Sequence, residues 1–177
     1  MISLSAAVQI FKQGGMVVYP TDTAYALGCI YNNKRAIRQI MALKGRTDPK
    51  FTVIASSLAQ VEKFFTLTTP QRRLAKKYWP GPLSIVVSSR YAVRVPQQSI
   101  ARALARRVGQ PLLATSLNRT GRPTVYSIGS TEKKLLQSLP DQAILNIGTL
   151  KRTPSSTIVA CRGEKIIIYR HGPINPK

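Results

Sequence analysis

Acidic side chains are what this sequence has least of: six Asp and Glu stand against 27 Lys and Arg in 177 residues, with a single His. Paired carboxylates for acid–base work and His-rich metal centres are thus poorly supplied, and no metal site is expected of the protein's own residues. Chemistry must rest on fixed positive charge and on placement. Cys29 and Cys161 are the only cysteines, without the paired spacing of a zinc or redox motif, and they read as reduced core residues. No apolar run approaches the roughly twenty residues of a membrane span, and the N-terminus has no charged-then-apolar leader. A cytoplasmic protein with no membrane partner is expected. Gly-x-Gly and Gly-x4-Gly-Lys-Ser/Thr are both missing, so neither a Rossmann nor a P-loop nucleotide site is supported. Internal repeats and low-complexity linkers are missing too.

What is present is apolar content of 44%, enough for one sizeable core, and residues 1–177 read as a single domain. The net charge of +21 far exceeds what one triphosphate needs. Basic residues come in scattered pairs, Arg72-Arg73, Lys76-Lys77, Arg106-Arg107, Lys133-Lys134 and Lys151-Arg152, as on the faces of folded elements. Two readings stand side by side: a polynucleotide met through its phosphates, or a solubilising basic surface.

Hydrophobic spacing predicts helices over 3–13, 33–44 and 70–78, one containing Ile100, Leu104 and Val108, and one near 131–139. Strands are expected at 16–19, 51–55, 82–88, 91–95 and 111–115, with short ones near 143–147, 157–160 and 165–169. This alternation argues for an α/β fold, a twisted open mixed sheet with helices on its faces. Some antiparallel pairing is expected between 83–87 and 92–95. Thr21-Asp22-Thr23 falls in a loop after the first strand, where Asp22 reads as a helix cap.

Polar clusters fall just past predicted strands: Thr21 and Thr23, Ser116 and Asn118, Ser156 and Thr157. In open α/β sheets such positions share one crevice. Lys44-Gly45-Arg46 and Ser116-Leu117-Asn118 read as two halves of a site for a nucleoside triphosphate, a point charge and a planar fork of donors on one side and hydroxyl and amide groups on the other. Taken singly, each of these residues also suits a cap, a turn or a solvated strand position.

With these motifs assembled, the chain resembles the YrdC-like family of threonylcarbamoyl-adenylate synthases from about Gly14 to Ile174. The resemblance is carried by Tyr19-Pro20-Thr21-Asp22-Thr23-Ala24-Tyr25-Ala26-Leu27-Gly28, Lys44-Gly45-Arg46, Trp79-Pro80-Gly81-Pro82-Leu83 and Val93-Arg94-Val95-Pro96. It continues through Thr115-Ser116-Leu117-Asn118-Arg119-Thr120-Gly121-Arg122-Pro123, Ser156-Thr157-Ile158-Val159 and Arg170-His171-Gly172. It implies the YrdC-like α/β fold with a deep basic cleft. The implied activity is synthesis of threonylcarbamoyl-AMP from L-threonine, bicarbonate or CO2 and ATP, with Mg2+ held mainly by the ATP phosphates. The implied partner is a downstream transferase that modifies tRNA, while contact with tRNA or double-stranded RNA through the basic surface stands as the polynucleotide reading of the charge.

By motif position, Thr23, Arg94, Ser116 and Ser156 would contact threonine, with Arg94 in a two-pronged contact to its carboxylate. Lys44, Arg46, Lys50, Asn118, Tyr126 and Arg170 would face ATP, with Lys44 and Arg46 as the catalytic cations. Trp79 and Tyr25 are expected to pack, and His171 to be incidental. The chain departs from the family pattern at Ala26, Leu117 and Ser155, which are expected to reshape the substrate pocket, and at Ala55, which removes a contact. Its end soon after Gly172 implies the short stand-alone form. Two alternatives accompany this reading: a non-catalytic RNA-binding protein with the same fold, and a paralogous enzyme that adenylates another carbamoyl compound.

Overall fold

The computed structural model of the protein describes residues 1–118, 123–129, 137 and 143–176. Helices α1 (Leu4–Lys12), α2 (Lys34–Lys44), α3 (Leu58–Phe64), α4 (Thr69–Tyr78) and α5 (Ser99–Val108) surround strands β1 (Val17–Pro20), β2 (Tyr25–Ile30), β3 (Phe51–Ile54), β4 (Leu83–Val86), β5 (Tyr91–Arg94), β6 (Leu112–Ser116), β7 (Thr157–Arg162) and β8 (Lys165–Arg170). Helix starts follow local chemistry. Ser3, Asn33 and Ser57 each accept a backbone N–H from the first turn of the helix they open, and Thr68 forms a reciprocal capping box with Gln71.

The strands make one eight-stranded sheet in the order β1-β2-β6-β3-β5-β4-β7-β8. It is mixed: β3/β5 and β4/β7 run parallel, and the other pairs run antiparallel. The pairing expected between 83–87 and 92–95 is present, with Ile85 opposite Val93.

Register sorts the side chains onto two faces, because neighbours across a ladder share a side. On one face Leu113, Val53, Val93, Ile85 and Val159 form a continuous apolar row from β6 to β7. Helices α2, α3 and α4 cover that row through Ile40, Val61 and Leu74 in three adjoining clusters. On the opposite face α1 and α5 pack over Ala26, Ile54, Leu112 and Ala114. The positions of this second face toward β5, β4, β7 and β8 are Thr52, Ala92, Arg94, Ser84, Ile158 and Arg170. Small and polar side chains there leave room beside the α1–α5 pair.

The local structure differs from expectation in four places. Thr21–Thr23 lead into a strand, not a helix, so Asp22 caps nothing: its carboxylate pairs with Arg94 instead. Strand β2 went unread because five of its six residues are buried and no alternation marks it. The segment 143–147 makes a single parallel bridge, Ile144 opposite Val18, with no strand of its own. Helix α3 was also unread, being only seven residues long. The helix expected over 131–139 lies, apart from Gln137, outside the described residues.

Candidate functional site

A cavity of about 730 Å3 opens on the second sheet face, the size of a pocket for a nucleotide-sized ligand. Its floor includes Ala26, Thr52, Ala92 and Ala114, and its walls carry Arg46, Lys50, Arg90, Arg94 and Arg170. No Asp or Glu is among the described residues that line it.

Arg94, the last residue of β5, is 3% exposed. Its Nη2 lies 2.9 Å from Asp22 Oδ1 and donates to Thr23 Oγ1 at 3.4 Å. Its Nε and Nη1 are buried and have no hydrogen-bond partner among the described residues. Burial lowers its pKa, partly offset by Asp22. Thr23 is placed by a tight turn: Thr21 Oγ1 accepts from the Thr23 and Ala24 amides and donates to the Ala24 carbonyl at 2.7 Å.

Across the sheet, Arg170 ends β8 and donates from Nε to the Ser156 carbonyl at 2.9 Å and from Nη2 to Ser156 Oγ at 3.0 Å. Ser156 Oγ in turn shares a hydrogen bond with the fully buried Ser84 hydroxyl at 2.9 Å. Partial burial and the nearby Arg94 charge lower the Arg170 pKa. Gly172 makes this possible. A Cβ there would sit 2.3 Å from the Ser155 carbonyl oxygen and 2.4 Å from the Thr157 amide, so only glycine lets the chain pass so close behind Ser156.

At the other rim the Lys-Gly-Arg motif splits. Gly45 adopts φ +59° and closes α2 with its amide on the Ala42 carbonyl, turning the chain so that its two neighbours diverge. Lys44 points inward and is 6% exposed. Its ammonium donates to the Ser116 carbonyl at 2.6 Å and to the Asn118 carbonyl. Arg46 points to the cavity, stacks over the Phe51 ring at 4.8 Å, donates to the Lys50 carbonyl and lies 3.8 Å from Asp48. Ser116 donates to the Asn118 side-chain oxygen, which orders the end of β6.

Of the residues singled out in the sequence, Thr23, Arg46, Lys50, Arg94, Ser116, Ser156 and Arg170 line the cavity. Lys44, Asn118 and Tyr126 are not among its lining residues. Tyr126 donates to the Thr153 carbonyl at 3.2 Å, with the Arg152 guanidinium 5.8 Å from its ring.

Ala26 and Ser155 do line the cavity, whereas Leu117 is fully buried among Tyr25, Leu27 and Leu113 and so shapes the core instead of the pocket. Ala55 likewise belongs to the apolar cluster around Val61. Tyr25 is wholly buried yet borders the cavity, and its hydroxyl lies 2.8 Å from both Asn146 Oδ1 and the Gly148 carbonyl oxygen, between which its one proton is shared. Trp79 packs beside Leu58 and donates to the Leu83 carbonyl at 2.7 Å, and His171 is exposed. Cys29 is free and buried, its thiol pushed up to about 12 by burial, which removes it from nucleophilic chemistry. Sequence reasoning missed Arg90 and Thr52 as lining residues. A cation at the tip of the β4–β5 turn was the available signal for Arg90.

The family model Sua5/YciO/YrdC, described as telomere recombination, matches residues 9–172. A protein of Nitrosococcus oceani named threonylcarbamoyl-AMP synthase is 36% identical over 175 residues, covering 90% of this chain and 94% of its own. The crystal structure of P. abyssi Sua5 complexed with L-threonine superposes with a TM-score of 0.85 at 25% identity, over 96% of this chain and 54% of that longer one. The chain therefore spans about half of that protein. The crystal structure of E. coli YciO aligns with a TM-score of 0.79 at 27% identity, covering 98% of this chain and 91% of its own. By the extent of the family match and by the shared sheet, this chain belongs to the Sua5/YciO/YrdC family.

Proposed function

We propose that this protein makes threonylcarbamoyl-AMP and pyrophosphate from L-threonine, bicarbonate or CO2 and ATP, the activated group being destined for threonylcarbamoyladenosine in tRNA. The observation that carries this reading is the buried Arg94 with two unspent donors in a cavity whose other rim is cationic. A small carboxylate suits the first feature, and a polyphosphate suits the second. The N. oceani relative named for this reaction supports the assignment.

In this reading Arg94, Thr23, Ser116 and Ser156 hold threonine, and Arg46, Lys50 and Arg170 hold the triphosphate. Asn118 and Tyr126 act on ATP from behind the lining. Lys44 acts chiefly through the Ser116–Asn118 backbone that it grips. The neutral threonine amine adds to the carbon of CO2 and loses a proton. The resulting carbamate oxygen then attacks the α-phosphorus, and the bond to pyrophosphate breaks. The protein forms no covalent bond; it aligns the reactants and offsets charge growing on phosphate oxygens.

Magnesium fits as a companion of the nucleotide. Among the described residues no three His, Cys, Asp or Glu side chains are grouped to hold a metal, so phosphate oxygens and water would complete its shell. Among these residues no helix is long and apolar enough to cross a membrane, in keeping with work in the cytoplasm beside a separate tRNA-modifying transferase. Exposed cations such as Lys76, Lys77, Arg106 and Arg107 supply phosphate contacts for tRNA or double-stranded RNA.

The decisive measurement is pyrophosphate release from ATP with threonine and bicarbonate each left out in turn. Release that needs both is expected. Release indifferent to either would refute the assignment.

A further inference from the structure

We infer that Asp22 is a positioning residue that holds the Arg94 guanidinium by one corner and leaves its remaining donors for the substrate carboxylate. The inference rests on the synthase reading above and extends it to a residue outside the substrate contacts.

Three observations lead to it. First, the contact is one-cornered. Asp22 Oδ1 lies 2.9 Å from Nη2 as an ion pair outside hydrogen-bond geometry, while Nε and Nη1 have no hydrogen-bond partner among the described residues. An acid placed only to neutralise a buried arginine would gain more from a two-bond clasp. Second, Asp22 is itself held. Its Oδ2 accepts from the Gln97 amide at 3.1 Å, just beyond β5, and its backbone carbonyl accepts from Thr153 Oγ1 at 2.8 Å. The carboxylate is thus tied to the chain that follows Arg94, and the backbone that carries it to the segment leading to Ser156, which together hold it away from the free donors. Third, the charge is matched. Arg94 and Arg170 act on each other through their charges, and no acid is among the described residues lining the cavity. With Asp22 ionised, this end of the cavity retains one net positive charge, which suits a ligand bearing one carboxylate. Without it, the buried Arg94 would face the Arg170 charge with no acid beside it, and would be free to turn toward other acceptors.

A test compares L-threonine with L-threoninol, which keeps the amine and side chain but lacks the carboxylate. Binding of each is measured by calorimetry for the wild type, Asp22→Asn and Asp22→Glu, with thermal melting of every variant. In Asp22→Asn, L-threonine binding is expected to weaken by about tenfold or more while threoninol binding stays within about twofold, so the wild-type preference for threonine collapses. In turnover the same variant should raise the threonine KM about tenfold and leave the ATP KM within about twofold. Asp22→Glu, one methylene longer, is expected to lose about threefold for threonine with threoninol unchanged. Equal losses for both ligands would overturn the proposal, because a merely structural role weakens both alike. If Asp22→Asn does not fold, the Glu variant decides by the same criterion. A wild type that binds neither threonine nor ATP would refute the synthase reading itself, whereas a wild type that prefers threonine beside an Asn variant that keeps the preference refutes only the role of Asp22.

Discussion

Arg94 and Arg46 line the same cavity and are held in opposite ways. Arg94 is 3% exposed and takes its partners from the loop between β1 and β2, 71 residues away in the case of Thr23. Arg46 has a 24% exposed side chain and takes its partners, Asp48, Lys50 and Phe51, from its own stretch of sequence. On the proposed assignment, the difference teaches how one cleft would serve two kinds of ligand. A small rigid anion needs donors fixed by tertiary packing, where low dielectric strengthens each contact. A flexible polyphosphate is served by partly exposed, screened charge whose exact placement matters less.

The sharpest way to break this contrast is to remove the buried member. Arg94→Ala should lower threonine-dependent kcat/KM by at least about a hundredfold, and Arg94→Lys should restore little, since one ammonium cannot replace a planar fork. A lysine variant within about threefold of wild type would show that charge alone suffices. Next in size comes the divided motif. Lys44→Ala should destabilise the protein by about 1–3 kcal/mol in chemical denaturation, because the Ser116 and Asn118 carbonyls lose their shared donor. Arg46→Ala should cost about ten- to a hundredfold in kcat/KM for ATP and leave the melting temperature nearly unchanged. Equal stability losses in both would erase the distinction drawn at Gly45.

Arg90→Ala should have a smaller effect, about three- to tenfold in the ATP KM, because that side chain is exposed at the rim. Smallest is the salt response. Raising ionic strength tenfold should weaken ATP binding several-fold and threonine binding less, as measured by parallel titrations. The reverse order would mean that the buried end, too, is open to solvent.

How much of this was legible in the sequence follows the same divide. Locally encoded features were readable: the cap at Asn33, the break at Gly45 and the amphipathic run of α5 all announce themselves within a few residues. The antiparallel pairing of β4 with β5 was readable too, from two β-rich runs separated by a serine-rich turn. Features set by tertiary packing were not. Asp22 looked like a cap because nothing near it in sequence hints at Arg94. The inward course of Lys44 to the Ser116 carbonyl was not readable either, because the left-handed turn at Gly45 fixes no destination until β6 is in place. Leu117 lay between two polar residues of a site motif, and only the register of β6 shows that it faces the opposite side of the sheet. Family resemblance placed the clusters in one crevice; it could not say which members turn away from it.

Strand alternation gives the site an unusual vulnerability. Arg94 is flanked by Val93 and Val95, both within the apolar cluster around Val61. A one-residue slip of β5 would therefore drive a guanidinium into hydrocarbon and turn a valine toward the cavity. Single-residue deletions within this strand should abolish folding and turnover together, while insertions at the 88–90 tip should be far better tolerated. The place of Arg94 in the cavity is inherited from the sheet's pairing, and the lining can drift in evolution only where the ladders end.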